Sequence, residues 1–188
     1  MSESMSASKQ EFLTFIIGSE EYAVKILRVQ EIRGWQEPSP LPNVPSFVKG
    51  VVNLRGTVVP IIDLREKFHL KASYDGTTVV IVVHVITNMG ERIVGLVVDA
   101  VSDVHSFDVS SLQPPPDIST SIQNQFVLGL ATIEDKDGMS KDGQKSSDIE
   151  SNKSHGRMVI LIDIDKLAAE GLIESILSDN DNMPTGNG

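Results

Sequence analysis

Histidine and cysteine are the side chains that most often bind metals or act as nucleophiles and bases in proteins. This chain has four histidines and no cysteine. The histidines are His69, His84, His105 and His155, and none stands four residues from another, the spacing that aligns two zinc ligands on a helix. Without cysteine, thiol nucleophiles, disulfides and cysteine zinc sites are excluded. The sequence therefore predicts structural histidines, no metal site and no cofactor.

The segment 138–146 is the nearest approach to a phosphate-binding loop. In such a loop a lysine follows directly after the second glycine, so that its ammonium group reaches the phosphates, but here Gln144 intervenes. The segment 135–138 begins like a calcium-binding loop, yet Ser146 holds the twelfth position, where a glutamate normally completes the site. We expect neither nucleotide nor calcium binding.

Paired carboxylates are another source of acid–base chemistry, and four aspartates follow apolar runs: Asp63, Asp99, Asp103 and Asp163. Aspartates at strand ends more commonly cap turns or helices by accepting backbone N–H groups. We therefore predict structural roles for these carboxylates and expect no enzymatic activity.

The overall charge argues against two classes of partner. The chain carries 16 Lys and Arg against 26 Asp and Glu, a net charge of −10. Nucleic acids and anionic membranes attract proteins through lysine and arginine, and stacking of single strands needs aromatic side chains, which form only 5% of this sequence. The longest apolar run, Val79–Ile86, is far shorter than the roughly 20 residues that cross a bilayer. We expect no nucleic acid, no direct membrane insertion and no signal peptide.

Short apolar runs separated by turn residues dominate the chain, a pattern typical of β-barrels and sandwiches. About ten strands are predicted, in two groups of five. They are Phe12–Ile17, Tyr22–Val24, Val29–Trp35, Phe47–Leu54, Thr57–Leu64, Thr77–Ile86, Arg92–Val98, Val101–Phe107, Phe126–Ile133 and Arg157–Ile162. Arg55-Gly56 is predicted to be a hairpin turn in which the glycine has a positive φ. Pro60 lacks a backbone donor and is expected to mark a sheet edge or a bulge.

The flanking segments have different patterns. An apolar stripe with helical spacing predicts an amphipathic helix over about 164–177, capped by Asp163 or Asp165. The polar segment 135–155 is expected to be a flexible insertion, and residues 1–10 and 178–188 are expected to be disordered.

Six blocks of sequence resemble the CheW family in their order and spacing, from about Gln10 to Leu177. The blocks are Glu20–Val24, Val29–Arg33, Gly50–Gly56, Val59–Arg65, Gly95–Val104 and Gly156–Asp163. The resemblance implies an all-β fold of two five-stranded SH3-like barrels packed together over 11–177, with a hydrophobic core between them. We expect the first barrel mainly over 11–68 and the second mainly over 76–163.

The resemblance also implies a non-enzymatic adaptor of bacterial chemotaxis. Such an adaptor couples methyl-accepting chemoreceptors to the histidine kinase CheA and helps to build receptor arrays. The implied partners are the regulatory domain of the kinase and the cytoplasmic tips of the receptors. The implied location is the cytoplasm, with recruitment to membrane-associated receptor arrays. The alternative is a CheW-like scaffold of a different chemosensory or motility pathway.

The resemblance assigns candidate contact residues one by one. Receptor contact is expected at Val29, Glu31, Ile32 and Val104, and coupling at the turn residue Arg55. Kinase contact is expected at Leu41, Asn43, Val44, Phe47 and Gly50, with a second contact at Gln113 and Ile118. At this second contact the family often has arginine and phenylalanine, so the sequence departs from the pattern there. The alternative for Val29, Ile32 and Val104 is a place in the core, and for Arg55 an exposed turn or a weak ion pair.

Overall fold

The computed structural model describes residues 8–88, 90–114, 126–134 and 156–169. Within these ranges the chain forms ten β-strands, which confirms the predicted number. The strands are β1 (Lys9–Ile17), β2 (Glu20–Lys25), β3 (Val29–Gly34), β4 (Val48–Leu54), β5 (Thr57–Asp63), β6 (Val79–Thr87), β7 (Gly90–Val98), β8 (Ala100–Asp108), β9 (Val127–Glu134) and β10 (Gly156–Ile162). Two short helices, α1 (Leu64–Lys67) and α2 (Ile164–Ala169), follow β5 and β10. Single 3₁₀ turns occupy Ile26–Arg28 and Val109–Ser111.

The strands form two five-stranded sheets that are interleaved along the chain. Sheet A has the order β8-β1-β2-β10-β9, and sheet B has the order β3-β6-β7-β5-β4. If five is added to each strand number of sheet B, and the resulting numbers 11 and 12 are counted as β1 and β2, the order becomes that of sheet A. The chain therefore repeats one five-strand arrangement twice, although its sequence contains no repeat that we could identify.

The first two strands of each repeat join the sheet of the other repeat. β1 and β2 pair with β8 and β10, whereas β6 and β7 pair with β3 and β5. The expected division into barrels mainly over 11–68 and mainly over 76–163 therefore differs from the observed pairing. The first two strands belong with the last three, and the hairpin over 79–98 belongs with β3–β5. An apolar alternation predicts that a strand exists and which face is buried, but it does not identify the partner strand.

Three apolar clusters are found among the described residues. The largest, here called the shared core, lies between the sheets and includes Phe15 and Leu96. Sheet B encloses a smaller cluster around Val59, and sheet A encloses another around Phe12. Each sheet is thus curled around its own interior, and we call the two units barrel A and barrel B. The fold is all-β, with two five-stranded SH3-like barrels packed on a common core, as predicted.

Strands that are buried on both faces read as continuous apolar runs. In β6, Ile81 and Val83 belong to the shared core, whereas Val80 and Val82 point into barrel B. The interior of barrel B is so tightly filled that a Cβ atom added at Gly95 would lie 2.6 Å from Cδ1 of Ile61.

Pro60 lies in β5, which is an internal strand of sheet B. The pairing of β5 with β7 begins only at Ile61, so Pro60 lies where β5 is paired with β4 alone. β5 is therefore an edge strand locally at Pro60, where it has a single neighbouring strand and the missing N–H group leaves no second partner unpaired.

The ends of the fold differ partly from expectation. Lys9 of β1 pairs with Asp108, so the segment expected to be disordered, 1–10, extends too far. The predicted cap is confirmed, because Asp163 Oδ1 accepts the N–H groups of Asp165 and Lys166 at 3.1 and 3.2 Å. The insertion 135–155, the predicted helical segment beyond Ala169 and the tail 178–188 lie outside the described residues.

Candidate protein-binding surface

The edge strand β3 directs two of the predicted receptor-binding residues toward the other barrel. Val29 pairs with Val83 and Ile32 with Ile81 in β6. Residues paired in this way project from the same face of a sheet, and both β6 residues belong to the shared core. Val29 packs against that core, whereas Ile32 is 46% exposed. Ile32 therefore forms an exposed apolar rim on the face of sheet B that carries the shared core.

The corresponding edge strand of barrel A, β8, presents Val104 in the same way. Val104 pairs with Leu13, a member of the shared core, and is 43% exposed. β3 and β8 belong to different sheets, so Ile32 and Val104 lie on separate edge strands. The interpretation as core residues therefore suits Val29, while Ile32 and Val104 remain available to a partner.

Glu31 and Arg55, which were assigned separate roles, form one ion pair. The Nη1 and Nη2 atoms of Arg55 each lie 3.3 Å from a carboxylate oxygen of Glu31. The Glu31 side chain is 22% exposed and that of Arg55 is 74% exposed. The pair joins β3 to the β4–β5 turn, and β3 and β4 are the two edge strands of sheet B. It therefore bridges the open side of barrel B beside Ile32.

The backbone of the β4–β5 turn holds Arg55 outward. Arg55 has a φ of 51° and Gly56 a φ of 89°, and two successive positive φ values are typical of a two-residue type I′ hairpin turn. Asn53 Oδ1 accepts the N–H group of Gly56 at 2.8 Å. The predicted turn is present, but the strained backbone of Arg55 was not foreseen.

The first set of predicted kinase-binding residues lies in the proline-rich connection from β3 to β4 and in β4 itself. Leu41, Val44 and Phe47 are half-buried and pack against the shared core. Asn43 is exposed and has a φ of 58°. The apolar side chains thus anchor the connection, and a partner would meet a preformed surface that needs little further ordering.

Gly50 has a structural role beneath this connection. Its φ is 138°, and a Cβ atom at this position would lie 2.0 Å from the carbonyl oxygen of Ser39. Ser39 and Val51 exchange two backbone hydrogen bonds of 2.9 Å. Glycine therefore permits the connection to pair with the edge of β4, and Gly50 itself is buried.

The second predicted kinase contact is only partly described. Gln113 exchanges two backbone hydrogen bonds with Leu130 of β9, at 3.0 and 2.8 Å, and its side chain is exposed. This places Gln113 on the edge of barrel A, whereas the connection around Asn43 belongs to barrel B. Ile118 lies outside the described residues.

A charge cluster that the sequence did not predict surrounds the buried side chain of Arg65. This Arg65 cluster is formed by Asp63, Arg65, Tyr74 and Asp99. Arg65 is 1% exposed and donates from Nε and Nη2 to Asp63 at 3.0 and 2.9 Å, and from Nη1 to Asp99 at 2.9 Å. The Tyr74 hydroxyl donates to Asp63 at 2.8 Å. Burial opposes the charge of Arg65, but its hydrogen bonds with Asp63 and Asp99 outweigh this effect and raise its pKa.

A sequence signal for the Arg65 cluster was present. Asp63-Leu64-Arg65 follows one apolar strand, and Asp163-Ile164-Asp165 follows another at the equivalent place in the second repeat. The predicted capping role of the first aspartate is confirmed, because Asp63 Oδ1 accepts the N–H group of Arg65 at 3.0 Å. The ion pairs made by the third residue of each motif depend on tertiary contacts that the pattern does not reveal.

The described part of the chain offers neither a metal-binding cluster nor a membrane-spanning helix. Within 8–88, 90–114, 126–134 and 156–169, no three His, Cys, Asp or Glu side chains are grouped closely enough to hold a metal ion. In the same ranges, no helix has the length and apolar character needed to cross a bilayer.

Comparisons with known proteins agree with the fold. A family model described as a CheW-like domain matches residues 11–171. The chemotaxis protein CheW of Klebsiella aerogenes is 42% identical over 172 residues, covering 91% of this chain and 87% of that protein. The CheW protein of Rhizobium meliloti is 35% identical over 158 residues, covering 84% and 86% of the two chains.

A solved structure gives the same result. The crystal structure of the scaffolding protein TtCheW from Thermoanaerobacter tengcongensis matches with a TM-score of 0.61 and 29% identity, covering 82% of this chain and 88% of that one. The family match spans nearly all of the described strands, and the relatives are similar over most of their length. The chain therefore belongs to the CheW family.

Proposed function

We propose that this protein is a non-enzymatic adaptor that couples methyl-accepting chemoreceptors to a CheA-type histidine kinase. It acts in the cytoplasm, where receptor tips recruit it to membrane-associated arrays. Membership of the CheW family supports this proposal. The single observation that carries it is the half-exposed apolar rim of the shared core at Ile32, directly beside the Glu31–Arg55 ion pair.

The receptor-binding step follows from the chemistry of that rim. An amphipathic helix binds through a few apolar anchors, and flanking polar groups select its register. Ile32 offers an anchor, and the 74% exposed Arg55 offers a fork of donors that suits a carboxylate of the receptor. Val104 on β8 provides a second apolar contact.

We propose that the kinase binds at the carboxyl-terminal end of β3, where the connection to β4 begins. The connection between β3 and β4 is pinned by the Ser39–Val51 backbone bonds and by the half-buried Phe47. A kinase regulatory domain would bind this rigid edge and leave the rim at Ile32 to the receptor. Gln113 on barrel A offers a second kinase contact, through which adaptors and kinases would close into rings.

The first test changes one exposed apolar residue on the rim and one elsewhere. We expect Ile32→Asp to reduce retention of a purified receptor tip at least about tenfold, because a buried interfacial apolar anchor contributes about 1–2 kcal/mol or more. Met158→Asp is the matched control, because Met158 is similarly exposed, at 57%, but lies on β10 of the other barrel. Binding to the kinase regulatory domain should be unchanged in both variants.

The outcomes of this test are distinct. Normal receptor binding by Ile32→Asp, in a variant with an unchanged melting temperature, would contradict the proposed rim. Equal loss by Met158→Asp would indicate a non-specific effect of added charge and would also count against it. If the wild-type chain retains neither receptor tips nor kinase, the adaptor function itself is refuted.

A further inference from the structure

The chain passes between the barrels at two crossings, and a charged clamp holds each one. At the first crossing, between β2 and β3, Arg28 donates from Nη1 and Nη2 to the two carboxylate oxygens of Asp165, at 3.0 and 2.7 Å. At the second crossing, between β7 and β8, Asp99 accepts a hydrogen bond from Arg65 Nη1 at 2.9 Å. We call these pairs the Arg28–Asp165 clamp and the Arg65–Asp99 clamp.

The helix residues of the two clamps occupy equivalent places in the repeat. Asp63 donates its N–H group to the carbonyl oxygen of Phe47 at 2.7 Å, and Asp163 donates to that of Phe126 at 2.8 Å. Phe47 immediately precedes β4, which pairs with β5, the strand that leads into α1. Phe126 immediately precedes β9, which pairs with β10, the strand that leads into α2. Two residues beyond these aspartates lie Arg65 and Asp165, so the two clamps are equivalent but their charges are reversed.

The carboxylate of each clamp also accepts a backbone amide from a neighbouring hairpin. Asp99 Oδ2 accepts the N–H group of Gly18, in the β1–β2 turn, at 2.7 Å. Asp165 Oδ1 accepts the N–H group of Ile86, near the end of β6, at 2.8 Å. The Gly18 amide therefore reports whether the Asp99 carboxylate is in place, and the Ile86 amide does the same for Asp165.

The two clamps differ in the burial of their arginines and not of their carboxylates, since Asp99 is 37% exposed and Asp165 is 32% exposed. Arg65 is 1% exposed and is also bonded to the fully buried Asp63 and to the carbonyl oxygen of Ser73, so its charge has several fixed partners. Arg28 is 26% exposed, and besides Asp165 it has one further partner, the carbonyl oxygen of His84, to which Nη1 donates at 3.3 Å. Ions and water reach both partners of the Arg28–Asp165 clamp and screen it. In the Arg65–Asp99 clamp they reach only the carboxylate, and the buried guanidinium keeps its other fixed partners, so salt weakens this clamp less.

We infer that the Arg28–Asp165 clamp is a releasable joint between the two barrels and that the Arg65–Asp99 clamp is the fixed joint about which they turn. Arg28 directly precedes β3, so release of its clamp changes the spacing between β3 and barrel A. The inference rests on the contacts of the isolated chain and does not depend on the proposed function.

Hydrogen exchange in the full-length protein tests the difference between the clamps. On going from low to high salt, the exchange rate of the Ile86 amide should rise about two- to fivefold, as expected for a screened surface ion pair, whereas that of the Gly18 amide should stay constant. Equal acceleration of both amides, or no change in either, would overturn the inference.

A distance measurement tests movement of the barrels. Because the chain has no cysteine, Val58→Cys and Met158→Cys place two spin labels selectively, on exposed sites of barrel B and barrel A. Adding Arg28→Met should broaden or shift the distribution of distances between the labels. Lys25 and Arg28 line one surface pocket. Lys25→Met, which removes this neighbouring positive charge, is therefore the matched control and should leave the distribution unchanged.

The parent double-cysteine protein at high salt provides a second perturbation of the clamp without a substitution in it. Should Arg28→Met fail to fold, the high-salt distribution alone decides the question. A distribution that stays narrow in Arg28→Met and at high salt would show that the barrels are fixed together, and the inference would be wrong.

Discussion

Among single residues, the positions assigned by the family motifs divide into those that are exposed and those that hold the fold. Ile32, Asn43 and Arg55 are exposed, whereas Gly50 is buried against the backbone of Ser39. A sequence motif contains both exposed and buried positions and does not distinguish between them. Burial and contacts are needed to separate them, which is why Gly50 is better assigned to the support of the surface than to contact.

Glu31→Lys tests a residue that we propose contacts the receptor. The substitution replaces an attractive pair with Arg55 by a like-charged one, and we expect binding of receptor tips to weaken about tenfold or more. Stability should change by less than about 1 kcal/mol, because Arg55 is mostly exposed. Pull-down with receptor tips and thermal unfolding measure the two effects.

A second-site change controls for the loss of the pair itself. Glu31→Lys combined with Arg55→Glu restores opposite charges in reversed order. Recovery of receptor binding in the double variant would indicate that closure of barrel B matters. Continued loss of binding would indicate that the receptor contacts the individual charges of Glu31 and Arg55. Unchanged binding in the single variant would exclude both closure of barrel B and direct contact as roles of the pair.

The two tyrosines of the chain give a further prediction for single residues. Burial raises the pKa of Tyr22 and of Tyr74, and each hydroxyl also donates to a carboxylate, Glu20 or Asp63 respectively. Because the folded pKa values lie above the unfolded value of about 10, this stabilisation is complete below about pH 10 and is lost as pH rises further. Tyrosinate absorbance should therefore appear only above pH 10 in the native protein, but near pH 10 in denaturant. Native titration of either tyrosine near pH 10 would contradict the described contacts.

Secondary-structure elements were the part of this protein most accessible to prediction from sequence. All ten strands were predicted, because strands such as β6 and β10 are apolar on both faces, and the turn at Arg55-Gly56 has an unambiguous glycine. The pairing of β1 with β8 was not predicted, since it joins residues about 90 positions apart and leaves no local signal. Of the candidate surface, the exposed rim at Ile32 was anticipated only through the family resemblance.

Gly50→Ala tests the support that β4 gives to the β3–β4 connection. The added methyl group would collide with the Ser39 carbonyl, so we expect a loss of about 2–4 kcal/mol in the free energy of unfolding. Gly34→Ala is the control, because a Cβ atom at Gly34 meets no other atom within 4 Å and that substitution should cost less than about 1 kcal/mol. Denaturant unfolding measures both, and equal stability of the two variants would contradict the close contact.

For the whole molecule, the interleaved sheets determine how the chain can be divided. A protease site inserted in the connection between α1 and β6 would cut the chain between the two repeats, yet each sheet would still contain strands from both pieces. We expect the pieces to co-elute in native size-exclusion chromatography and to separate only in denaturant. Separation under native conditions would show that the pairing of β1 with β8 and of β5 with β7 is too weak to join them.

The same interleaving has a consequence during synthesis on the ribosome. All five strands of sheet B lie between β3 and β7, so they have left the ribosome once Val98 has emerged. The amino-terminal hairpin emerges first, but its neighbours β8 and β10 are made last. Until then β1 and β2 present unpaired edges to the cell. Nascent chains stalled shortly after β7 should therefore recruit chaperones that bind extended apolar segments, and the final strand, β10, completes the first-made hairpin.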